Sequence, residues 1–302
     1  MGRRTLTRRE ALQAGSTAVL AGLAGCSGGI GGSGNATVYG NWTPERDGSG
    51  AEQGGESMRA MEPTDLDEAR HTLGDRYDLM AAFLEPPVPT MEFGELGSVY
   101  YNGGWSTSLY GVEAEFDQAA MVTGYQDELE AETVHSTYSG YELYRVDATL
   151  SSYLVGVADG RIAIAENGDR DRAAIESLID AREDGDRRVS SDGPLASIES
   201  AVGQESYTQL SIGDDVGVQV GETTPTAVVS GFSVSDTEAD LVSITSGFVL
   251  PETVTDPEAA VESRVSADAS VGVLNFSEAE ISTESDVVVA TEERHVEDAL
   301  AF

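Results

Sequence analysis

The sequence predicts an α+β fold, a mainly antiparallel sheet with helices packed on it. Three observations predict it. Runs of alternating apolar residues recur along the chain with turn residues between them. Helix signatures with start and stop residues separate those runs. Strands and helices then come in the same order twice, which predicts two repeated strand–helix–strand halves near residues 76–203 and 204–302.

The first half is expected to begin near Arg76. Short apolar runs at 79–84 and 99–101 are separated by Pro86-Pro87-Val88-Pro89 and Gly-rich turns, and 106–114 reads as a strand. Asp117 is a good helix N-cap, with Phe116 placed to staple onto Met121. Met121, Val122, Tyr125 and Leu129 then share one helix face. Residues 152–166 give the clearest local signal: Tyr153, Val155 and Val157, then Ile162 and Ile164, with Asp159-Gly160 between them. Asp-Gly suits a tight type I′ hairpin. Residues 141–146 are expected to pair beside it. Asp171 then caps a helix carrying Ile175, Leu178 and Ile179, with Gly185 beyond its end. A second helix opens at Gly193-Pro194, turns Leu195, Ile198 and Val202 inward, and stops at Gly203.

The second half reads as strands at 206–212, 227–234 and 241–250. Asp256-Pro257-Glu258 supplies a cap, a Pro at the first helical position and an acid in the first turn. Strands follow at 271–276 and 287–290, with a closing helix at 293–300.

Ahead of this body, residues 1–25 read as a secretory signal: Arg3, Arg4, Arg8 and Arg9, then an apolar run from about Ala14 to Gly25 that is short for a membrane span. Thr7-Arg8-Arg9-Glu10-Ala11-Leu12 resembles the twin-arginine export motif. Leu23-Ala24-Gly25-Cys26 resembles a lipobox, in which the cysteine is lipidated and the peptide before it removed. Tyr138-Ser139-Gly140-Tyr141-Glu142-Leu143-Tyr144, Val157-Ala158-Asp159-Gly160 and Ile179-Asp180-Ala181 are together similar to a pattern in uncharacterised haloarchaeal lipoproteins. The resemblance implies export, a lipid on Cys26 and attachment to the outer face of the cytoplasmic membrane; it implies no activity. Residues 26–75, rich in Gly, Ser and acids, are expected to be a flexible tether, with a short helix near Thr64. Asn35 and Asn275 stand in glycosylation sequons, and a third sequon at Asn41 is followed closely by Pro44.

Composition narrows the setting. All 17 basic residues are Arg, against 54 acids, for a net charge of −37. Such a chain repels itself unless salt screens it, and molar salt shortens the Debye length to about 3 Å. A haloarchaeal source is the simplest reading. A basic footprint for nucleic acid is missing. Cys26 is the single cysteine, so no disulfide forms within the chain.

Chemistry-bearing motifs are few. His71, His135 and His295 make no HExxH pair, and there is no GxSxG elbow, P-loop or GxGxxG. The acidic stretch at 167–171 begins like a calcium loop, but its sixth and twelfth positions are Arg172 and Leu178, not Gly and Glu. Tyr100, Tyr101, Trp105 and Tyr110 form an aromatic group that can stack on sugar rings or grip a partner if exposed, and is sheet core if buried. Tyr138, Tyr141 and Tyr144 share that ambiguity. The functional expectation is a non-enzymatic binding module for an envelope protein or glycan, without cofactor or metal. A tethered hydrolase with a dispersed site, a solute receptor and a structural envelope component are the alternatives.

Overall fold

Alternating apolar residues build one twelve-stranded antiparallel sheet, the backbone of an α+β fold. This computed structural model describes residues 37–44, 56–103, 108–129, 132–147, 152–166, 172–185, 187, 193–213, 216–266 and 270–301, all of them within the unit Ala36–Phe302. Cys26, Arg8, Arg9, Asn35, Trp105, Asp171 and the acidic stretch at 167–171 lie outside the described residues.

The described residues begin with helix α1 (Val38–Trp42), then strand β1 (Glu56–Met61) and helices α2 (Pro63–Glu68), α3 (Arg70–Leu73) and α4 (Asp75–Leu84). A 3₁₀ turn leads to β2 (Leu96–Gly103) and β3 (Ser108–Ala114). Helix α5 (Gln118–Glu128) follows, then β4 (Glu132–Tyr138), β5 (Tyr141–Asp147), β6 (Ser152–Ala158) and β7 (Arg161–Glu166). Two helices come next, α6 (Arg172–Glu183) and α7 (Gly193–Val202). The rest is β8 (Tyr207–Ile212), β9 (Ala227–Asp236), β10 (Leu241–Val249), α8 (Pro257–Val265), a small hairpin of β11 (Ser270–Val271) and β12 (Leu274–Asn275), β13 (Glu280–Glu284), β14 (Val287–His295) and α9 (Val296–Ala299).

Across the sheet the order is β13-β14-β10-β9-β8-β1-β2-β3-β7-β6-β5-β4. At its centre β1 pairs antiparallel with β8, from Glu56 opposite Ile212 to Met61 opposite Tyr207. Outward from that seam the two sides run alike. On one side β1, β2 and β3 are followed by α5, a hairpin, and then β6 and β7, with β7 returning beside β3. On the other side β8, β9 and β10 are followed by α8, a hairpin, and then β13 and β14, with β14 returning beside β10.

Period-two alternation sends side chains to opposite faces. On the first face Met61, Val99, Val112, Ile162, Tyr207, Phe232 and Ile244 are buried under α2–α4, α5 and α8. Spacing explains the helices' fit: Tyr77, Met80 and Leu84 in α4, Met121 and Tyr125 in α5, Val261 and Val265 in α8 each recur at three- or four-residue intervals. Asp117 caps α5 through Ala120 N at 3.0 Å, and Asp256 caps α8 through Ala259 N at 3.1 Å. On the second face Met58, Ala60, Tyr100, Ala163, Leu210 and Val229 meet α1, α6 and α7.

Several expectations change. The stretch 26–75 is not a tether throughout, because residues 37–44 and 56–75 are folded: Tyr39, Trp42, Met58, Met61, Leu66 and Leu73 are all buried. Trp42 drives the first of these. Its ring lies against the backbone of β3, where a Cβ on Gly111 would come within 2.2 Å of it. Its indole N–H donates to Glu113 Oε1 at 3.2 Å, the same oxygen that Arg182 reaches at 2.8 Å. Helix α7 packs on β9, β10 and β14, so it goes with the second half and not the first. The run 79–84 lies inside α4, and 271–276 is a tight hairpin turning on Gly272 (φ 60°). In the Asp159-Gly160 turn only Gly160 has a positive φ, so it is not type I′; Ser139 (44°) and Gly140 (87°) both do, in the β4–β5 turn.

Candidate functional site

The aromatic group splits across the sheet. Tyr100 points to the second face and is fully buried, so its expected ligand role is not supported: it is core. Tyr101 and Tyr110 point to the first face, directly opposite one another on β2 and β3, and both stay half-exposed. Their ring centroids are 4.9 Å apart at an interplanar angle of 49°. The Tyr101 side chain lies along its own strand, since a Cβ on Gly103 would come within 2.3 Å of its hydroxyl.

Neighbouring strands extend the patch. Arg59 on β1 pairs with Tyr101 across the ladder and carries its guanidinium 5.8 Å from that ring's centroid. Arg59 also hydrogen-bonds the phenol of Tyr207. Gln209 on β8 lies opposite Arg59. Beyond Tyr110, Tyr153 and Glu166 face each other across β6 and β7. Arg59, Gln209, Tyr153 and Glu166 are half-exposed, whereas Tyr207 is buried. Burial holds the Tyr110 phenol well above the usual tyrosine range, and the Tyr101, Glu166 and Tyr153 groups beside it push the same way. Its proton therefore stays on across the physiological range. The strip can stack and hydrogen-bond.

The other tyrosines are structural. The Tyr138 hydroxyl donates to Asp180 at 2.8 Å, Tyr141 to Glu183 at 2.9 Å, and Tyr144 to Glu142. The first two fasten the β4–β5 hairpin to α6.

Acid chemistry gathers elsewhere. At the lower end of the central seam, Ser233 Oγ donates to Glu205 Oε2 at 2.5 Å and accepts from Ser206 N at 3.0 Å. Burial raises the Glu205 carboxyl. Nearby Glu62 is pushed up to about 7 by burial, with Asp65 and then Glu205 adding to it. Ser233 bonds its carboxylate directly, and among the described residues no histidine is bonded to either. His71 meets the hydroxyl of Thr72 at 3.4 Å, and His295 precedes α9. Among the described residues no three His, Cys, Asp or Glu side chains group as metal ligands, and no helix is long and apolar enough to cross a membrane. Of the sequons, Asn275 is half-buried with its side-chain oxygen taking the Ser270 hydroxyl at 2.7 Å, and Asn41 takes Arg187 at 2.8 Å.

Sequence reasoning missed Arg59, Tyr153, Glu166 and Gln209. Arg59 fell inside the supposed tether, and Tyr153 counted as one more strand residue. A register for β1 against β2 would have brought Arg59 to Tyr101.

No family model matches the chain, and no curated protein matches it. A solved structure described as "Structure of crystal form I of TP0453" is similar at 9% identity, over 82% of this chain and 92% of that one, with a TM-score of 0.43. A likeness of that size supports no statement about fold or function.

Proposed function

We propose that this protein is a non-enzymatic surface lipoprotein, held by a lipid on Cys26 to the outer face of the cytoplasmic membrane, whose body binds another envelope molecule. The observation that supports binding is the strip of Arg59, Tyr101, Tyr110, Tyr153, Glu166 and Gln209. These half-exposed rings and polar tips share a face with positions packed under helices and under the β11–β12 hairpin. Rings of this kind contribute contact area at low entropic cost. Export through the twin-arginine motif at Arg8 and Arg9 goes with this reading, as does a salt-rich setting for so acidic a chain.

The test is photocrosslinking in cells at native salt, with the photoreactive residue at Ser108, beside the rings on β3. One partner captured in stoichiometric yield, and lost when Tyr110 is changed to Ala, supports the reading. Recovery of the protein alone from position 108 refutes it. A hydrolase is the rival, and the half-buried Glu62 carboxyl, raised to about 7, is the feature that would favour it. Glu62→Gln abolishing a hydrolytic activity of the purified protein would replace the binding reading.

A further inference from the structure

The two sides of the sheet treat matching positions differently. In register, Arg59 on β1 stands against Gln209 on β8. One strand outward, the counterparts are Tyr101 and Ser230; two strands outward, Tyr110 and Ser246. Ser230 and Ser246 are buried, with their hydroxyls 3.2 Å apart. What covers them is the β11–β12 hairpin. A Cβ on Gly272 at its turn would lie 3.6 Å from Ser230 Oγ and 3.6 Å from Gln209 Oε1, and Val271 and Leu274 are sunk into the same core. The matching hairpin of the other side, β4–β5, does something else: it pairs with β6 and extends the sheet edge. So, among the described residues, no hairpin covers the Tyr101–Tyr110 row as β11–β12 covers its counterpart.

Charge narrows what can lie there. Arg59 is already engaged by the Tyr207 phenol and the Tyr101 ring. Glu166 has no ion pair among the described residues, and the chain around it carries 54 acids. An acidic segment is repelled; a basic one is matched.

We propose that the Arg59–Tyr101–Tyr110–Glu166 strip takes an extended polypeptide segment of a partner, small and apolar at its centre and basic beside it, laid over the rings as the β11–β12 hairpin is laid over Ser230 and Ser246. The proposal rests on the binding reading above and names the partner's chemistry. The apolar centre covers Tyr101 and Tyr110, and the basic residue meets Glu166.

The probe is a displayed library of random dodecapeptides, panned on the full chain in 2 M KCl. The expected result is enrichment of sequences with Arg or Lys next to small apolar residues, binding at least tenfold more weakly to Tyr110→Ala. Glu166→Gln, an isosteric change on a half-exposed residue, should keep the fold and remove the preference for Arg or Lys. Tyr138→Ala, on the opposite face, should leave binding unchanged. No enrichment, equal binding to wild type and both strip variants, or strip-dependent binding of neutral oligosaccharides in place of peptides would each overturn the proposal. If the position-108 crosslink in cells survives while peptides fail, binding through the strip stands and only the ligand class is wrong. If the crosslink fails as well, both fall.

Discussion

Replacing Trp42 with Ala tests whether the segment ahead of β1 belongs to the fold. A tether would not notice the change. In the structure the indole is fully buried between α1 and the β3 backbone and donates a hydrogen bond to Glu113. Truncating a buried Trp to Ala costs about 3–5 kcal/mol, the hydrogen bond included. The segment is also held by Thr37 on Glu199 at 2.9 Å and by Val38 N on Gln204 at 3.0 Å, so it need not come away whole. At about 2–4 °C per kcal/mol for a body of this size, Trp42→Ala should lower Tm by roughly 10 °C. The assay is thermal unfolding by circular dichroism in 2 M KCl. A complementary change sharpens it. Gly111→Ala puts a methyl 2.2 Å from the indole and should cost about 1–3 kcal/mol or more by overpacking. Combined with Trp42→Ala, the methyl falls into vacated space, so the double variant should be more stable than the sum of the singles implies. An unchanged Tm for Trp42→Ala, or strict additivity of the pair, would refute the docking of α1.

Three further outcomes follow from charge and chain. Glu62 is raised from 4.5 to about 7, so its share of stability is fully present below 4.5 and is lost as pH rises through 7. The whole shift is worth about 3 kcal/mol, and solvent at this half-buried group reduces it to about 1–2. Glu62→Gln should flatten that slope between pH 4.5 and 7 and raise stability at pH 8; an unaltered pH profile in urea melts would disprove the assignment. Dialysis into millimolar salt should abolish the near-UV signal of a chain with a net charge of −37, and a spectrum intact in low salt would remove the halophilic reading. Cys26→Ser should release the protein into the medium, whereas Arg8 and Arg9 both changed to Lys should keep it inside the cell; membrane retention of the first or normal delivery of the second would count against lipidation or twin-arginine export respectively.

Much of the fold was legible because local signals agreed with tertiary ones. The β6–β7 hairpin, the Asp117 and Asp256 caps and the glycine stops at Gly185 and Gly203 all sit where alternation and capping rules put them. The failures share a cause. Strand β1 carries Met58, Ala60 and Met61 among Glu56, Ser57 and Arg59, too polar a run to declare itself; it exists because β2 and β8 supply ladders on both sides. Strand β13, with Glu280 and Glu284 at its ends, is an edge that water can cover, and so has little apolar content. Residues 79–84 are helical because Tyr77, Met80 and Leu84 meet the same core, a fact of packing that no six-residue window contains. The candidate strip was half visible. Tyr101 and Tyr110 stood out as aromatic, but strand parity alone separates Tyr101 from Tyr100, and the reach to Arg59 and Glu166 depends on which strands become neighbours.

The central β1–β8 pair bears on stoichiometry. An antiparallel pair has a two-fold axis between its strands, so it is the contact that one copy of a half could make with an identical copy. Two identical halves on separate chains would have to be both open or both closed, giving two equal strips or none. Joined in one chain, they are free to differ. One can spend its hairpin as a lid while the other adds its hairpin to the sheet edge. If the open strip binds as proposed, the molecule is monovalent despite its near-symmetry, and clustering of partners would then have to come from many copies held side by side.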